Sequence, residues 1–220
     1  MKEQLETFNL DNNIIGVQSR KEYYKEIEKE FAQTGKITKQ VKQVRLIMMN
    51  SEGTIFIQRR SKRKDSNAGL YDKTTGGHVN AGHTWELTVV KECHEEFGFP
   101  AVVLSQADFK HAIEATDTAI IGLFREVEHI NQFLSKRIRS KGEIVQPVIT
   151  KNYIGYYDGP IRFKDGEAIG VECFTKEELE EDLKNHPTKF TEDLKFMVKR
   201  YGELLVPKTQ LTATKQVQGF

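Results

Sequence analysis

The sequence has little that would point to an extracellular, membrane or nucleic-acid-binding protein. Only two of its 220 residues are cysteines, which is too few for a disulfide framework or a cysteine-based zinc site. No run of about 18 apolar residues occurs, so we expect no membrane-spanning helix. The first ten residues, MKEQLETFNL, lack the apolar core of a secretory signal. Neither sign of charge dominates, since 33 Lys and Arg stand against 32 Asp and Glu, whereas a protein that binds nucleic acid in bulk is usually more basic. We therefore predict a cytoplasmic location, without membrane or stable nucleic-acid partners.

The hydrophobic pattern predicts one α+β domain with two appended ends. Two short strands around a turn at residues 11–13, followed by a helix between Ser19 and Gly35, predict an N-terminal hairpin and helix (residues 1–40) packed on the core. Through residues 41–205 strands outnumber helices and alternate with them irregularly, which favours a mixed sheet covered by helices. Within this range, residues 127–143 are polar and are predicted to be helical. Residues 206–220 are polar and unpatterned, and we predict a flexible tail.

Three glutamates in the stretch KECHEEFGFP, residues 91–100, raise the question of function. On a helix from about Thr84 to Phe97, Glu92, Glu95 and Glu96 fall within one arc. The opposite, apolar side is predicted to comprise Leu87, Val90, Cys93, His94 and Phe97. Carboxylates at this spacing repel one another, and a divalent cation between them would reverse that effect. Hard oxygen ligands suit Mg²⁺, Mn²⁺ or Ca²⁺ better than zinc. A solvated outer helix face explains the same pattern, and the three residues alone do not decide between the two.

Glycines frame this helix in a specific order. From Gly77 the chain reads glycine, five residues, His83, seven residues and then KECHEEFGF, residues 91–99. This pattern resembles the Nudix box, which has an acidic residue at the position of His83 and an arginine at the position of Lys91. The resemblance implies the Nudix fold, a mixed β-sheet sandwiched between α-helices. It also implies a Mg²⁺ or Mn²⁺ site formed by Glu92, Glu95, Glu96 and the backbone carbonyls of Gly76 and Gly77.

The similarity extends beyond the box. The stretches IFIQRRS (55–61) and GGHV (76–79) resemble the branch of the Nudix superfamily that contains isopentenyl diphosphate isomerase and hydrolases similar to it. The similarity covers roughly residues 5–205, except for residues 127–150, which we interpret as an insertion. In the isomerase an arginine and a lysine of this loop bind the substrate diphosphate, and they correspond to Arg60 and Lys64; a solvated basic loop is the alternative. Nudix hydrolases often supply one more acid from a later loop or strand, which would be Glu167 here, with a surface turn as the alternative.

These implications predict a Mg²⁺-dependent hydrolase that cleaves a diphosphate linkage in a small nucleoside-diphosphate-type or other diphosphate substrate. The candidate catalytic residues are Glu92, Glu95, Glu96 and Glu167. Because His83 and Lys91 depart from the box, a domain that binds a phosphorylated ligand with little or no hydrolysis is the alternative. The isomerase is disfavoured because the position of its acidic cysteine is Gly76 here. Dimers are common in the family, so a homodimer is one expected assembly.

Overall fold

The computed structural model describes residues 3–139, 142–162 and 168–211, so Glu167 lies outside the described residues. Within these ranges the chain forms nine strands and six helices. In chain order they are β1 (Gln4–Asn9), β2 (Ile14–Ser19), α1 (Arg20–Thr34), β3 (Lys39–Met49), β4 (Ile55–Arg60), β5 (Tyr71–Asp72), α2 (Trp85–Phe97), β6 (Ala101–Leu104), α3 (Gln106–Ala115), β7 (Gly122–Arg139), β8 (Gly142–Tyr156), β9 (Ala168–Phe174), α4 (Lys176–Asn185), α5 (Glu192–Tyr201) and α6 (Lys208–Leu211).

The strands form one mixed sheet. Its main path runs β2-β1-β3-β8-β7-β6, and β4 pairs with β3 while also carrying β5 and β9. The pairs β3–β8 and β6–β7 are parallel, and the remaining named pairs are antiparallel. The mixture of strand directions, together with the helices on the sheet, confirms the predicted α+β class.

The central strand β3 separates two hydrophobic layers because successive side chains of a strand point to opposite faces. Leu46 and Met48 pack with α2, through side chains that include Cys93 and Phe97. Ile47, on the other face, packs with residues of α3, α4 and α5. The sheet therefore lies between helices, as predicted. None of the described helices is both long enough and apolar enough to cross a bilayer.

The N-terminal hairpin and helix have the boundaries that their sequence signals indicate. The Ser19 side chain caps α1 by accepting from the Glu22 N–H, and Gly35 ends the helix in a left-handed conformation with φ of 69°. Tyr23 and Ile27 of α1 are buried in a small cluster with Leu5 of β1. Backbone pairing of β1 with β3 continues the main sheet into this segment.

The helix predicted at residues 127–143 is wrong. Its described part, residues 127–139 and 142–143, belongs to the long antiparallel hairpin of β7 and β8. Irregular register between Glu126 and Glu128, and again between Ile130 and Phe133, breaks the alternation that would identify a strand. Both faces of the hairpin also carry polar residues, so no apolar face marks the strand either.

The flexible tail was predicted to begin at residue 206, but residues 206–211 pack on the domain. Leu211, at the end of α6, is buried, and the Tyr156 hydroxyl donates to the carbonyl of Val206. Pro207 lies against the turn at Gly53. These contacts attach residues 206–211 to the domain, while residues 212–220 lie outside the described residues.

Candidate active site

A polar cavity of about 730 Å³ opens between α2, the turn at residues 73–81, the 60–67 loop, and parts of β3 and β7. Its lining includes the predicted residues Glu92, Glu95, Glu96, Gly76, Gly77, Arg60 and Lys64. The structure thus brings together every predicted site residue that it describes. Glu96 is buried in the cavity wall and Glu92 is partly buried, whereas Glu95 lines the cavity with 57% of its side chain exposed.

The helix α2 is rotated relative to the predicted orientation. Its ends are as expected, with Thr84 capping the Leu87 N–H and Gly98 in the left-handed conformation. Its buried positions, however, are Thr88, Val89, Cys93, Glu96 and Phe97. Leu87 and His94, which were predicted to be buried, are exposed. The buried arc thus extends towards the glutamates, because the glycine turn and β4 cover that side of the helix.

Glu96 is the most enclosed of the three carboxylates, with an exposed fraction of 7%. One of its oxygens accepts from the Thr75 hydroxyl at 2.5 Å and from the Gln58 side-chain amide at 3.1 Å. Two donors on one oxygen fix the orientation of this carboxylate. Neither donor was identified from the sequence, because both lie far from Glu96 along the chain.

Gly77 is required by the position of Glu92. A methyl group added at Gly77 would lie 2.0 Å from Glu92 Oε1, so only glycine allows this carboxylate to lie against the turn. Gly76 is constrained differently, since a methyl group there would lie 2.5 Å from the carbonyl oxygen of Val44. The Gly77 carbonyl accepts from the Val44 N–H at 2.9 Å, so one acceptor direction of that oxygen is already used by the sheet.

The two residues that depart from the Nudix box both line the cavity. Lys91 forms an ion pair with Glu95, with 3.7 Å between Nζ and Oε1. A lysine offers a point charge where the pattern has an arginine fork, so it holds a carboxylate with less directional control. His83 is partly exposed at the cavity edge.

A basic wall, formed by Arg60, Lys64, Lys73 and Arg137, lines the same cavity. Arg60 and Lys73 both pair with Asp72, at 3.1 and 3.3 Å. Burial alone would raise the pKa of Asp72, but the charges of Lys73 and Arg60 outweigh it and hold that pKa well below its usual range. The sequence did not identify Lys73 or Arg137. Arg137 lies in β7, where a helix was predicted.

His78 connects the cavity to the N-terminal segment. Its Nε2 lies 2.9 Å from the Tyr24 hydroxyl and 3.0 Å from the Gln43 amide nitrogen, and its Nδ1 lies 3.4 Å from Glu3. Burial lowers the pKa of His78 to about 4, although the hydrogen bond to Glu3 acts in the opposite direction. The ring is therefore neutral at pH 7, and these contacts assign Nδ1–H as the donor to Glu3.

Trp85, Glu172 and both cysteines lie outside the cavity lining. The Trp85 ring has the ammonium groups of Lys42 and Lys151 near it, and Glu172 accepts from the Tyr71 hydroxyl. Cys93 is fully buried in the α2 layer, and burial raises the pKa of its thiol, so it is a core residue as predicted. Cys173 lies on β9, outside the lining.

The donor set along α2 is of the type that Mg²⁺ and Mn²⁺ prefer, since it consists of carboxylate oxygens. Within the described ranges, no three His, Cys, Asp or Glu side chains converge into a ready metal cluster. Glu92 lies against Gly77, Glu95 pairs with Lys91, and Glu96 is held by Thr75. Mutual repulsion of like charges at this spacing favours such separate orientations.

Known proteins share this architecture. The NUDIX domain model matches residues 39–194. An isopentenyl-diphosphate Delta-isomerase of Serratia proteamaculans (strain 568) is 21% identical over 193 residues, which is 87% of each chain. The crystal structure of DR0079 from Deinococcus radiodurans has a TM-score of 0.59 at 19% identity, covering 90% of this chain and 98% of that one.

A bifunctional NMN adenylyltransferase/ADP ribose pyrophosphatase of Francisella tularensis, solved with AMP and a Mn ion, has a TM-score of 0.50 at 15% identity. That comparison covers 84% of this chain and 47% of the other. At such identities these structures show a shared fold. The family model, in contrast, matches well over half of the sequence. This chain belongs to the NUDIX family.

Proposed function

We propose that the protein is a hydrolase that cleaves a diphosphate linkage with the help of Mg²⁺ or Mn²⁺. The observation that carries this proposal is the division of one cavity into a wall of three glutamates and a basic wall. A diphosphate requires both features, because a divalent cation bridges its oxygens while arginine and lysine neutralise the remaining charge. The Mn ion in the Francisella tularensis structure supports the choice of metal.

We assign a role to each of these residues according to its surroundings. Glu96, Glu95 and the Gly76 carbonyl would hold the metal, which supplies Lewis-acid polarisation of the phosphoryl oxygens. Glu92 lies beside the glycine turn and is partly accessible, so we assign it as the general base. General-base assistance is typically worth about 10²–10⁴-fold in rate.

The reaction is a displacement at phosphorus. A water oxygen forms the new bond to phosphorus, and its proton passes to the Glu92 carboxylate. The bridging P–O bond breaks, and Arg60 and Lys64 stabilise the charge that develops on the departing phosphate. Because Arg60 is itself held by Asp72 and by the Ser66 carbonyl, its guanidinium is positioned before the substrate arrives.

A panel of diphosphates, including ADP-ribose and nucleoside diphosphate sugars, tests this proposal with Mg²⁺ and with Mn²⁺. The Glu96→Gln variant keeps the shape of the side chain and removes its charge. We expect turnover to fall by at least about 10²-fold and Mn²⁺ affinity, measured by electron paramagnetic resonance, to weaken. Glu86→Gln is the matched control, since Glu86 lies on the same helix but is exposed and outside the cavity lining. Equal activity in the two variants would refute the site assignment.

The departures at His83 and Lys91 support a second candidate, a domain that binds a phosphorylated ligand without hydrolysing it. Calorimetry with each compound of the panel distinguishes the two functions. Metal-dependent binding without product from any compound would favour the binding domain. The Lys91→Arg variant has the arginine of the Nudix box at this position. Its turnover should be higher than that of the wild type if Lys91 limits hydrolysis.

Isomerase activity, suggested by the name of the Serratia relative, is disfavoured by the positions of both cysteines. Cys93 is in the core, and Cys173 lies outside the cavity lining. No thiol can therefore donate a proton to a carbon–carbon double bond in this cavity. Incubation with isopentenyl diphosphate in deuterated water would reveal any exchange into the substrate.

A further inference from the structure

The basic wall and the residues behind it contain more cations than carboxylates. Arg60 and Lys73 share Asp72. Behind them Arg45 is completely buried and pairs with Asp193 at 3.3 Å. Arg137 lines the cavity beside these two groups. An arginine that no carboxylate engages directly is a favourable partner for a bound anion.

Arg137 is the cation of this group that has no direct carboxylate partner among the described residues. It lines the cavity, and one terminal nitrogen donates to Gln43 Oε1 at 3.2 Å. Its Nε is buried and has no hydrogen-bond acceptor among the described protein groups. The protein therefore uses only part of the hydrogen-bonding capacity of this guanidinium, which lines the cavity.

Asn67 in the 60–67 loop is bonded to Ile138, the strand residue next to Arg137. Asn67 has a positive φ of 52°, and its backbone N–H donates to the Ile138 carbonyl at 2.8 Å. Its side-chain oxygen accepts from the Ile138 N–H, also at 2.8 Å. This pair of bonds fastens the loop that carries Arg60 and Lys64 to the strand residue next to Arg137. Arg60, Lys64 and Arg137 therefore line one cavity from two segments that are bonded to each other.

We propose that this region is a second anion-binding subsite, centred on Arg137, and that the substrate carries a phosphate monoester or a carboxylate in addition to its diphosphate. This inference rests on the proposed function, which places the diphosphate between the α2 glutamates and Arg60. The additional anion supplies the charged partner that Arg137 lacks among the described carboxylates. The cavity volume of about 730 Å³ suits a ligand of that size.

Matched ligand pairs test the subsite. ADP-ribose and ADP-ribose 2′-phosphate differ by one phosphate monoester, and UDP-glucose and UDP-glucuronate differ by one carboxylate. We expect kcat/KM to be about tenfold or more higher for the anionic member of at least one pair, the size expected from hydrogen bonds to a charged group. The pair that shows the preference identifies the chemistry of the additional anion. No preference in either pair overturns the subsite.

Variants then assign any preference to Arg137. Arg137→Met should bring the kcat/KM ratio of the preferred pair close to one. Arg137→Lys should retain part of it, because the charge remains while the fork is lost. Lys62→Met is the control and should leave the ratio unchanged, since Lys62 is exposed and outside the cavity lining. A ratio that survives in a folded Arg137→Met protein overturns the assignment. If that variant does not fold, the ratio in Arg137→Lys decides.

Binding measurements separate a failure of the subsite from a failure of the proposed function. Calorimetric titration of the wild-type protein with the same ligands requires no turnover. Tighter binding of the anionic member without hydrolysis of any ligand supports the subsite and contradicts the hydrolase. Hydrolysis of both members with equal affinity and rate contradicts the subsite and leaves the hydrolase intact.

Discussion

Replacement of Gly77 by alanine should disable Glu92 while leaving the fold almost unchanged. Gly77 does not have a positive φ, so its backbone conformation is open to alanine. The new methyl group would lie 2.0 Å from Glu92 Oε1, whereas ordinary contact begins at 3.4 Å. The carboxylate must therefore move by about 1.4 Å, the difference between these two distances. Since the atom that must move is the end of a flexible side chain, the cost in stability should be below about 1 kcal/mol.

The cost in rate should be much larger. A displacement of about 1 Å in a catalytic group can reduce the rate by about 10²-fold. We therefore expect kcat/KM for the best substrate of the panel to fall by about two orders of magnitude. The melting temperature should change by less than about 4 °C, as expected for a loss below about 1 kcal/mol in a protein of this size.

A double-mutant cycle with Glu92→Gln strengthens this test. If Gly77→Ala acts only through Glu92, the double variant should be no slower than Glu92→Gln alone. The effects of two substitutions on kcat/KM do not add when both residues act through the same group. Wild-type kcat/KM in a folded Gly77→Ala protein would refute the role of Glu92. If the fold-losses in kcat/KM of the two single variants multiply in the double variant, Gly77 has another function.

Three further outcomes follow from the same structure. Gly76→Ala should lower stability by about 1–3 kcal/mol, measured by urea unfolding, because its methyl group meets the backbone oxygen of Val44, which cannot move freely. Asp72→Asn should flatten the pH dependence of the free energy of unfolding in acid. The pKa of Asp72 in the folded protein lies below its ordinary value of 3.8, so the stability that this carboxylate contributes is present above pH 3.8 and is lost as the pH falls further. Identical pH profiles of wild type and variant below pH 4 would contradict this. Arg45→Met should cost about 3–5 kcal/mol by leaving the Asp193 carboxylate buried without its partner, and the double variant Arg45→Met/Asp193→Leu should recover most of that loss.

Signals in the local sequence were sufficient to predict where α2 begins and ends and which of its carboxylates line the site. Thr84 and Gly98 mark the helix ends through capping, which depends on neighbouring residues only. The orientation of the helix could not be obtained in this way. Val89 is buried and Leu87 is exposed because the glycine turn covers one side of α2, and that contact joins distant parts of the chain.

The basic wall was predicted only in part, for a related reason. Arg60 and Lys64 were found because they belong to a short stretch that resembles a family pattern. Arg137 was missed because two irregularities between Glu126 and Phe133 hide the first part of β7 as a strand, although residues 133–139 pair in regular register. The buried Arg45 directly precedes the apolar end of β3 (residues 46–49), and only the folded structure shows the Asp193 carboxylate beside it.

The two irregularities in β7 also make ligand preference sensitive to the number of residues in one strand. Between Glu126 and Phe133, each of them gives β7 one residue more than β8. Deleting one such residue would exchange the two faces of the strand beyond it, so that the exposed Leu134 and Ile138 would turn towards the cavity in place of Arg137. A relative with one residue fewer here could accept an apolar group with its catalytic helix unaltered, so new substrates could arise through changes in strand length alone.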